Sequence, residues 1–303
     1  MEQKFYGNGK LLLSGEYVIL DGAKGLALPT RYGQALSVNE NRSGLLRWKS
    51  LDPNGLPWFE GEYDLNGLLE RSNTNTKTAE MLTRILRQAQ ALNPDFLTRA
   101  NGYEVKTLLS FPKNWGLGTS STLIYTLARW ADIDPYQLLN ATFGGSGYDI
   151  ACAGTDTPIL YQIENNVPKV ESIAWDVPFK DRLFFVYLNQ KRNSREAIAM
   201  YRKRDMDHGL IADISSITEQ LTVVERLSEF ERLLSAHENL ISKALDIATV
   251  QHLLFDDYPH AVKSLGAWGG DFVLATGDAA TSPTYFKEKG YDTVIPFSKM
   301  ILS

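Results

Sequence analysis

The sequence predicts an α+β protein made of two lobes. Apolar patterns typical of strands and of helices alternate in both halves of the chain, and the earliest strands follow one another without an intervening helix. At 303 residues the chain is long enough for one large core or for two cores that share an interface. We place the boundary in the polar segment ENNVPK, which gives an N-terminal lobe of residues 1–166 and a C-terminal lobe of residues 167–303.

The first lobe begins with strands. The runs KLLLSGEYVIL and LALPTRYGQALSVNE hold strand-type apolar residues broken by Gly and Pro. The segment NTNTKTAEMLTRILRQAQAL then predicts a helix, because Ala79, Leu82, Ile85 and Leu86 fall on one face. GYEVKTLLSF predicts a further strand. The stretch FPKNWGLGTSST, residues 111–122, is therefore expected to be a loop between a strand and a helix.

The second lobe alternates strand and helix again. Residues 183–188 predict a buried strand, and residues 211–254 predict a long helical region. In TSPTYFKEKG, Ser282 is the expected N-cap, Pro283 the first helical residue and Gly290 the stop signal. The segment DTVIPF predicts the last strand.

Charge and cysteine content exclude several classes of protein. A net charge of -5 argues against nucleic acid as a partner, because polynucleotide binding depends on cations that neutralise phosphates. Cys152 is the only cysteine, so the sequence predicts neither a disulfide framework nor a Cys-based metal site, and a reducing compartment fits. The first twenty residues read as neither a signal peptide nor a membrane span. We therefore expect a cytoplasmic protein without a membrane partner.

The glycines and hydroxyls of residues 116–122 suit an anion. Glycines let backbone N–H groups turn toward a phosphate, hydroxyls add donors or a metal ligand, and the following helix presents its positive end there. The alternative is structural: Thr119 or Ser120 caps the helix and the glycines only form the turn. The P-loop, dinucleotide-binding, nucleophile-elbow, HExxH and protein-kinase motifs are all missing from the sequence.

Four segments together resemble the motifs of the GHMP kinases. GLGTSS is similar to the phosphate-loop motif of that superfamily, and GNGKLLLSGEYVIL to its N-terminal lysine motif. KSLGAWGGDFVLAT, residues 263–276, is similar to its glycine-rich C-terminal motif. GGSGYDIACAG resembles the loop of the mevalonate and phosphomevalonate kinase branch that carries a catalytic aspartate, here Asp149. The resemblance implies a lobe of the ribosomal protein S5 domain 2 type and a ferredoxin-like lobe, with the active site in the cleft between them.

The resemblance also implies roles for individual residues. Asp149 would act on the acceptor hydroxyl with Lys10 assisting, although Asp149 could instead cap a turn and Lys10 could be a solvated strand residue. Ser120 would bind Mg²⁺. The residues expected around the ATP phosphates are Gly116, Leu117, Gly118, Thr119, Ser120 and Ser121.

The substrate side is predicted from a basic junction and from two motif segments. Lys191 and Arg192 stand where a strand meets a helix, an arrangement that favours a carboxylate or phosphate substrate, although a solvated basic face is the alternative. Glu16 is either a substrate-side or a structural residue. The expected substrate-binding residues are Glu16, Lys191, Arg192, Ser194, Gly266 and Ala267.

Two features depart from the family pattern. The segment that leads to Asp149 lacks the glutamate that helps mevalonate kinases bind Mg²⁺, and its carboxylates are Asp132 and Asp134. Asp134 precedes Pro135 and is expected to cap a helix. Trp268 stands where the glycine-rich motif usually has glycine, and either narrows the phosphate end of the cleft or anchors a loop between the lobes.

The resemblance as a whole implies an ATP-dependent kinase of a small anionic metabolite, with mevalonate or phosphomevalonate favoured. The second hypothesis is that the protein is a diphosphomevalonate decarboxylase. A non-catalytic nucleotide or metabolite sensor is the third, suggested by the missing glutamate and by Trp268. We expect a monomer or a homodimer.

Overall fold

Strands and helices occur together in each of the two units into which the chain divides. The structure, a computed structural model, describes residues 2–190, 201–202, 208–266, 268 and 270–302. Contacts assign Met1–Gly9, Tyr32–Lys113 and Leu117–Gly154 to the first unit. They assign Lys10–Arg31, Asn114–Gly116 and Thr155–Ser303 to the second unit. The predicted lobe boundary near residue 166 stays a prediction, and the contacts group the chain differently, because short segments of the N-terminal half belong to the second unit.

The first unit is built on a sheet with the strand order β5-β4-β3-β6-β2. Strand β3 pairs in parallel with β6, whereas β3 with β4, β4 with β5 and β2 with β6 are antiparallel. Strands β1 and β2 pair with each other and continue into the second unit. The strands are β1 (Gln3–Ser14), β2 (Gly25–Glu40), β3 (Leu45–Leu51), β4 (Pro57–Asp64), β5 (Leu69–Asn73) and β6 (Tyr103–Leu109).

Four helices complete the first unit and enclose its core. In the first of them, the Asn75 side chain accepts the Thr78 N–H at 3.0 Å and caps the helix. The predicted apolar face is confirmed, because Ala79, Leu82, Ile85 and Leu86 are all buried there. The helices are α1 (Thr76–Leu92), α2 (Thr119–Ala131), α3 (Pro135–Thr142) and α4 (Tyr148–Ala153).

The second unit contains an antiparallel sheet with the order β10-β11-β9-β12. Along the chain, these four strands have a helix-containing connection between the first two and a helix between the last two, which gives the β-α-β-β-α-β arrangement of ferredoxin-like folds. The predicted buried strand at residues 183–188 is confirmed as β9. The start of β2 pairs with β7, and β7 pairs with β8. The strands are β7 (Ile159–Glu164), β8 (Val167–Ser172), β9 (Leu183–Tyr187), β10 (Val262–Ser264), β11 (Phe272–Thr276) and β12 (Val294–Pro296).

The helical region expected at residues 211–254 is divided into three helices. Asp246 adopts a left-handed conformation with φ 51° and ends the middle helix, and the Thr249 side chain caps the next one. Near the C-terminus, Ser282 is the first helical residue and Thr281 occupies the N-cap position, one residue earlier than predicted. The helices are α5 (His208–Val223), α6 (Leu227–Leu245), α7 (Val250–Leu254), α8 (Ser282–Glu288) and α9 (Phe297–Met300).

Across the described residues, none of the helices combines the length and the apolar character that crossing a membrane requires.

Candidate active site

The glycine-rich loop leads into α2 as the sequence predicts, and the helix starts without a side-chain cap. Gly118 occupies the N-cap position with φ 100°, a left-handed conformation that favours glycine, and within the described part of the chain this position provides no side-chain cap. Thr119 and Ser120 lie inside the helix, so neither residue caps it. Because the first amides of a helix have no partner within it, these N–H groups are available for an anion.

The four consecutive hydroxyls of this motif divide into two pairs. Ser121 and Thr122 are buried, and both hydroxyls lie 3.0 Å from the Gly118 carbonyl oxygen. The Thr122 hydroxyl also donates to Oε1 of the buried Gln34 at 2.8 Å. Thr119 is half-buried and Ser120 is exposed. The hydroxyls of Ser121 and Thr122 therefore bond within the start of the helix, whereas Ser120 is accessible at the surface.

Gly116 belongs to the second unit and contacts two charged residues there. Lys10 Nζ donates to the Gly116 carbonyl oxygen at 2.9 Å. Gly116 has φ 68°, and a Cβ placed on it would lie 2.1 Å from Oδ2 of Asp271. The neighbouring Trp115 packs edge-on against Phe272 with ring centroids 5.4 Å apart. The backbone of residues 114–116 is thus held against β11, and Lys10 reaches it.

Asp149 lies in the first turn of α4, half-buried, in the first unit. It follows Gly147, which has φ 87° at the N-cap position, and its Oδ1 accepts the N–H of Ile150 at 3.1 Å. Helix α4 packs against α2, the helix that carries the glycine-rich loop. Burial, Asp134 and Asp149 together raise the pKa of the Tyr136 hydroxyl to about 12, so the Tyr136 hydroxyl is close enough to Asp149 to sense its charge.

The two other carboxylates near this loop have structural roles. Asp134 caps α3 as predicted, because its Oδ1 accepts the Tyr136 N–H at 2.8 Å. Asp132 has φ 53° and forms the left-handed C-cap of α2. Over the part of the chain that the structure describes, no group of three or more His, Cys, Asp or Glu side chains is arranged to hold a metal ion.

A buried cluster of four ionisable side chains lies in the second unit, and sequence reasoning missed three of them. Lys263 Nζ forms an ion pair with Glu16 Oε1 and lies 3.5 Å from Glu238 Oε1. His237 Nε2 accepts the Gly15 N–H at 3.0 Å and lies 3.2 Å from Glu16 Oε2. All four side chains are at most 4% exposed. Glu16 therefore has the surroundings of a structural residue, the alternative that the sequence left open.

Burial sets the protonation of this cluster. It raises the pKa of Glu16 above its ordinary value, although Lys263 acts in the opposite direction. It also lowers the pKa of His237 well below 6.5, with Lys263 adding to the effect, so this imidazole is neutral. Burial raises the pKa of Glu238 to about 7. Near neutral pH the core therefore holds the Lys263–Glu16 pair beside a glutamate that is partly protonated.

A sequence signal for part of the cluster exists in α6. The buried residues Phe230, Leu233, Leu234 and Ile241 recur at helical spacing, and residues 237 and 238 fall within the same stripe. Polar side chains on a buried helical face need partners, so His237 and Glu238 could have been singled out. Lys263 gives a weaker signal, since a lysine in a three-residue strand is usually exposed.

Trp268 is part of the core of the second unit. Its indole is buried in a cluster with Tyr17, Val18 and Ile241, and its backbone N–H donates to the Tyr17 hydroxyl at 3.1 Å. These contacts anchor the glycine-rich segment within its own unit. Gly266 has φ 68°, and none of the described residues beyond its chain neighbours lies within 4 Å of the position that a Cβ would occupy.

Four predicted substrate-binding residues, Lys191, Arg192, Ser194 and Ala267, lie outside the described residues.

No protein-family model matches the chain, and no curated protein matches it. Solved structures do match over nearly the whole length. The mevalonate kinase of Methanococcus jannaschii has a TM-score of 0.70 at 13% identity, covering 100% of this chain and 99% of that one. The phosphomevalonate kinase of Streptococcus pneumoniae, in complex with phosphomevalonate and AMPPNP, has a TM-score of 0.69 at 17% identity and coverage of 95% and 96%. The galactokinase of Lactococcus lactis, complexed with galactose, has a TM-score of 0.70 at 13% identity and coverage of 95% and 89%. The chain therefore has the α+β fold of the GHMP kinases.

Proposed function

We propose that the chain is an ATP-dependent kinase that phosphorylates an alcohol or a phosphate of a small anionic metabolite. The observation that carries this proposal is the start of α2, where a left-handed glycine, uncapped amides and the exposed Ser120 meet. Asp149 stands on α4, which packs against the same helix. The fold of known small-molecule kinases supports the proposal.

The residues at the start of α2 fit a triphosphate. The amides of residues 119–121 would donate to phosphate oxygens, and the positive end of the helix dipole favours negative charge there. Ser120 would add its hydroxyl to a Mg²⁺ ion that is bound mainly by phosphate oxygens and water, as Mg²⁺ prefers. Such an ion, when bound, neutralises charge on the transferring phosphoryl group.

Asp149 is the proposed general base. It would accept the proton of the acceptor hydroxyl, or orient that hydroxyl toward the terminal phosphate. Lys10 would stabilise negative charge that develops on the acceptor oxygen. The hydrogen bond from Lys10 Nζ to the Gly116 carbonyl oxygen, which lies just before Leu117 in the chain, supports this role.

We favour mevalonate or phosphomevalonate as the acceptor. The matched pneumococcal kinase carries phosphomevalonate, and the basic residues Lys191 and Arg192 suit an anionic substrate. Their part in binding, like those of Ser194, Gly266 and Ala267, stays a prediction. A cytoplasmic location and a monomeric or dimeric state are likewise predictions.

A panel of acceptors, assayed by ADP release, tests the proposal. The panel contains mevalonate, phosphomevalonate, diphosphomevalonate and galactose, each with the wild type, Asp149→Asn and Asp132→Asn. We expect Asp149→Asn to lose at least about a hundred-fold in kcat, because general-base catalysis supplies roughly that much. Asp132→Asn is the matched control: it also removes a carboxylate from the first unit, Asn tolerates its left-handed conformation, and we expect the wild-type rate.

Three outcomes would overturn the proposal. Equal rates for the wild type and Asp149→Asn would exclude the aspartate as the base. Carbon dioxide released together with ADP would identify a decarboxylase. Tight ATP binding by calorimetry without turnover on any acceptor would identify a sensor.

A further inference from the structure

Each residue from Ser14, the last residue of β1, to Tyr17 in the turn after it contacts a different part of the second unit. Residues 14–17 make four successive contacts. The Ser14 and Thr218 hydroxyls are 2.8 Å apart, the Gly15 N–H donates to His237 at 3.0 Å, Glu16 pairs with Lys263, and the Trp268 N–H donates to the Tyr17 hydroxyl at 3.1 Å. These partners come from α5, α6, β10 and the glycine-rich segment.

Two residues of this turn have positive φ angles. Gly15 has φ 92°, and a Cβ on it would lie 2.9 Å from the Gly25 Cα. Tyr17 has φ 66°, which is rare for a residue with an aromatic side chain. A strained non-glycine residue such as Tyr17 persists only when its surroundings determine its conformation strongly, and such residues concentrate at functional sites. The four contacts of residues 14–17 provide such surroundings here.

The central anchor is an ion pair that is not expected to stabilise the fold. Lys263 and Glu16 are 0% and 1% exposed. Removing two charges from water costs about as much as their attraction returns, so a buried ion pair can usually be replaced by apolar residues without loss of stability. We therefore infer that the Lys263–Glu16 ion pair serves to position the backbone segments that carry its two residues.

The pair joins two segments of the proposed active site. Lys10 lies four residues before Ser14 in β1, about 13 Å of stiff strand at roughly 3.3 Å per residue. Lys263 lies three residues before Gly266, at the start of the glycine-rich segment. A shift of the turn would therefore move Lys10 away from the Gly116 carbonyl oxygen, which it now contacts at 2.9 Å.

We propose that Lys263 is a positioning residue that acts through Glu16. The ion pair holds the turn at residues 14–17 and thereby fixes where Lys10 and the glycine-rich segment stand. The proposal rests on the proposed kinase activity for its effect on rate, while its structural part stands independently of that activity.

Apolar replacement of both charges separates positioning from stability. In Glu16→Leu/Lys263→Met, no unpaired charge is left, since Glu238 can stay protonated. We expect a melting temperature within about 5 °C of the wild type. We expect kcat to fall by about ten-fold to a hundred-fold with little change in the KM for ATP, because a displacement of about 1 Å costs that much at a catalytic group.

A surface pair in the same unit provides the matched control. Lys24 and Glu219 form an ion pair with side chains 36% and 56% exposed. Lys24→Met/Glu219→Leu removes the same charges from the same unit, and we expect the wild-type kcat. Wild-type kcat in the folded Glu16→Leu/Lys263→Met protein would overturn the proposal.

Two further measurements keep the test decisive. If the double variant does not fold, Glu16→Gln replaces it, since it keeps the shape of the side chain and leaves Glu238 as a partner for Lys263. Amide hydrogen exchange of residues 10–17 and 262–266, without nucleotide, reports the anchoring itself. We expect faster exchange in these segments than in the surface-pair control, and unchanged exchange would overturn the proposal. If the wild type phosphorylates no acceptor but exchange still rises, the proposed function fails and the anchoring stands.

Discussion

Glu238 should make the stability of this protein fall as the pH rises. Its carboxyl is buried beside Lys263, Glu16 and His237. Burial raises its pKa from an ordinary 4.5 to about 7 in the folded state, with Glu16 adding to the rise and Lys263 opposing it. Between these two values the folded protein holds a proton that the unfolded chain has released. The stabilisation from this proton is complete below pH 4.5 and is lost as the pH rises through 7.

The size of the effect follows from the interval between the two pKa values. At about 1.4 kcal/mol for each pH unit, it amounts to roughly 3 kcal/mol in total, of which about 2 to 3 kcal/mol falls between pH 5 and pH 8. Glu238→Gln mimics the protonated carboxyl at every pH. The free energy of unfolding of the variant minus that of the wild type should therefore be about 2 to 3 kcal/mol larger at pH 8 than at pH 5.

Urea denaturation of both proteins at pH 5, 6, 7 and 8 measures this difference. His237 contributes the opposite slope, because its lowered pKa makes folding less favourable as the pH falls, and Glu16 contributes a slope of the same sign as Glu238. Both groups are present in both proteins, so their effects largely cancel in the difference. Glu171→Gln, which changes an exposed glutamate of the same unit, is the control. A constant difference between the wild type and Glu238→Gln from pH 5 to pH 8 would refute the reasoning.

Two further predictions concern the glycine-rich loop. Ser120→Ala should leave the free energy of unfolding within about 0.5 kcal/mol of the wild type, while kcat falls about ten-fold or more. Thr122→Val should lower the free energy of unfolding, measured by urea denaturation, by about 1–3 kcal/mol, because Gln34 loses its buried donor. A large loss of stability in Ser120→Ala together with none in Thr122→Val would contradict the conclusion that Thr122, and not Ser120, stabilises the start of the helix. Gly116→Ala should lower the free energy of unfolding by about 2–4 kcal/mol, because its φ is left-handed and the new Cβ would clash with the Asp271 carboxylate. The loss should be smaller in an Asp271→Gly background. Additive losses in this double-mutant cycle would show that the clash is absent.

Much of the fold could be predicted because local patterns carry it. The helical spacing of Ala79, Leu82 and Ile85 identifies the buried face of α1, and Asp134 before Pro135 identifies a helix start. The helical region expected at residues 211–254 is confirmed, but its division into three helices was not predicted, because periodicity continues across the breaks and the left-handed Asp246 leaves no strong signal in the sequence.

The candidate site could be predicted only in part. The order Gly116, Gly118, Ser120 predicts an anion-binding loop, but the sequence could not tell which hydroxyls the helix uses for itself. The role of Glu16 could likewise be predicted only in part. Its motif suggested a substrate contact as readily as a structural one, and only the position of Lys263, 247 residues away in the chain, decides its surroundings.

The sequence by itself determined the class of fold, and it predicts the place of the phosphate-type loop and the candidate aspartate, because each depends on patterns of residues that are close together in the chain. The tertiary structure alone decided the partners of the ionisable side chains and which glycines have no room for a side chain. The physical reason is that burial and charge pairing depend on distances in space between residues that are far apart in sequence, and no local pattern records those distances.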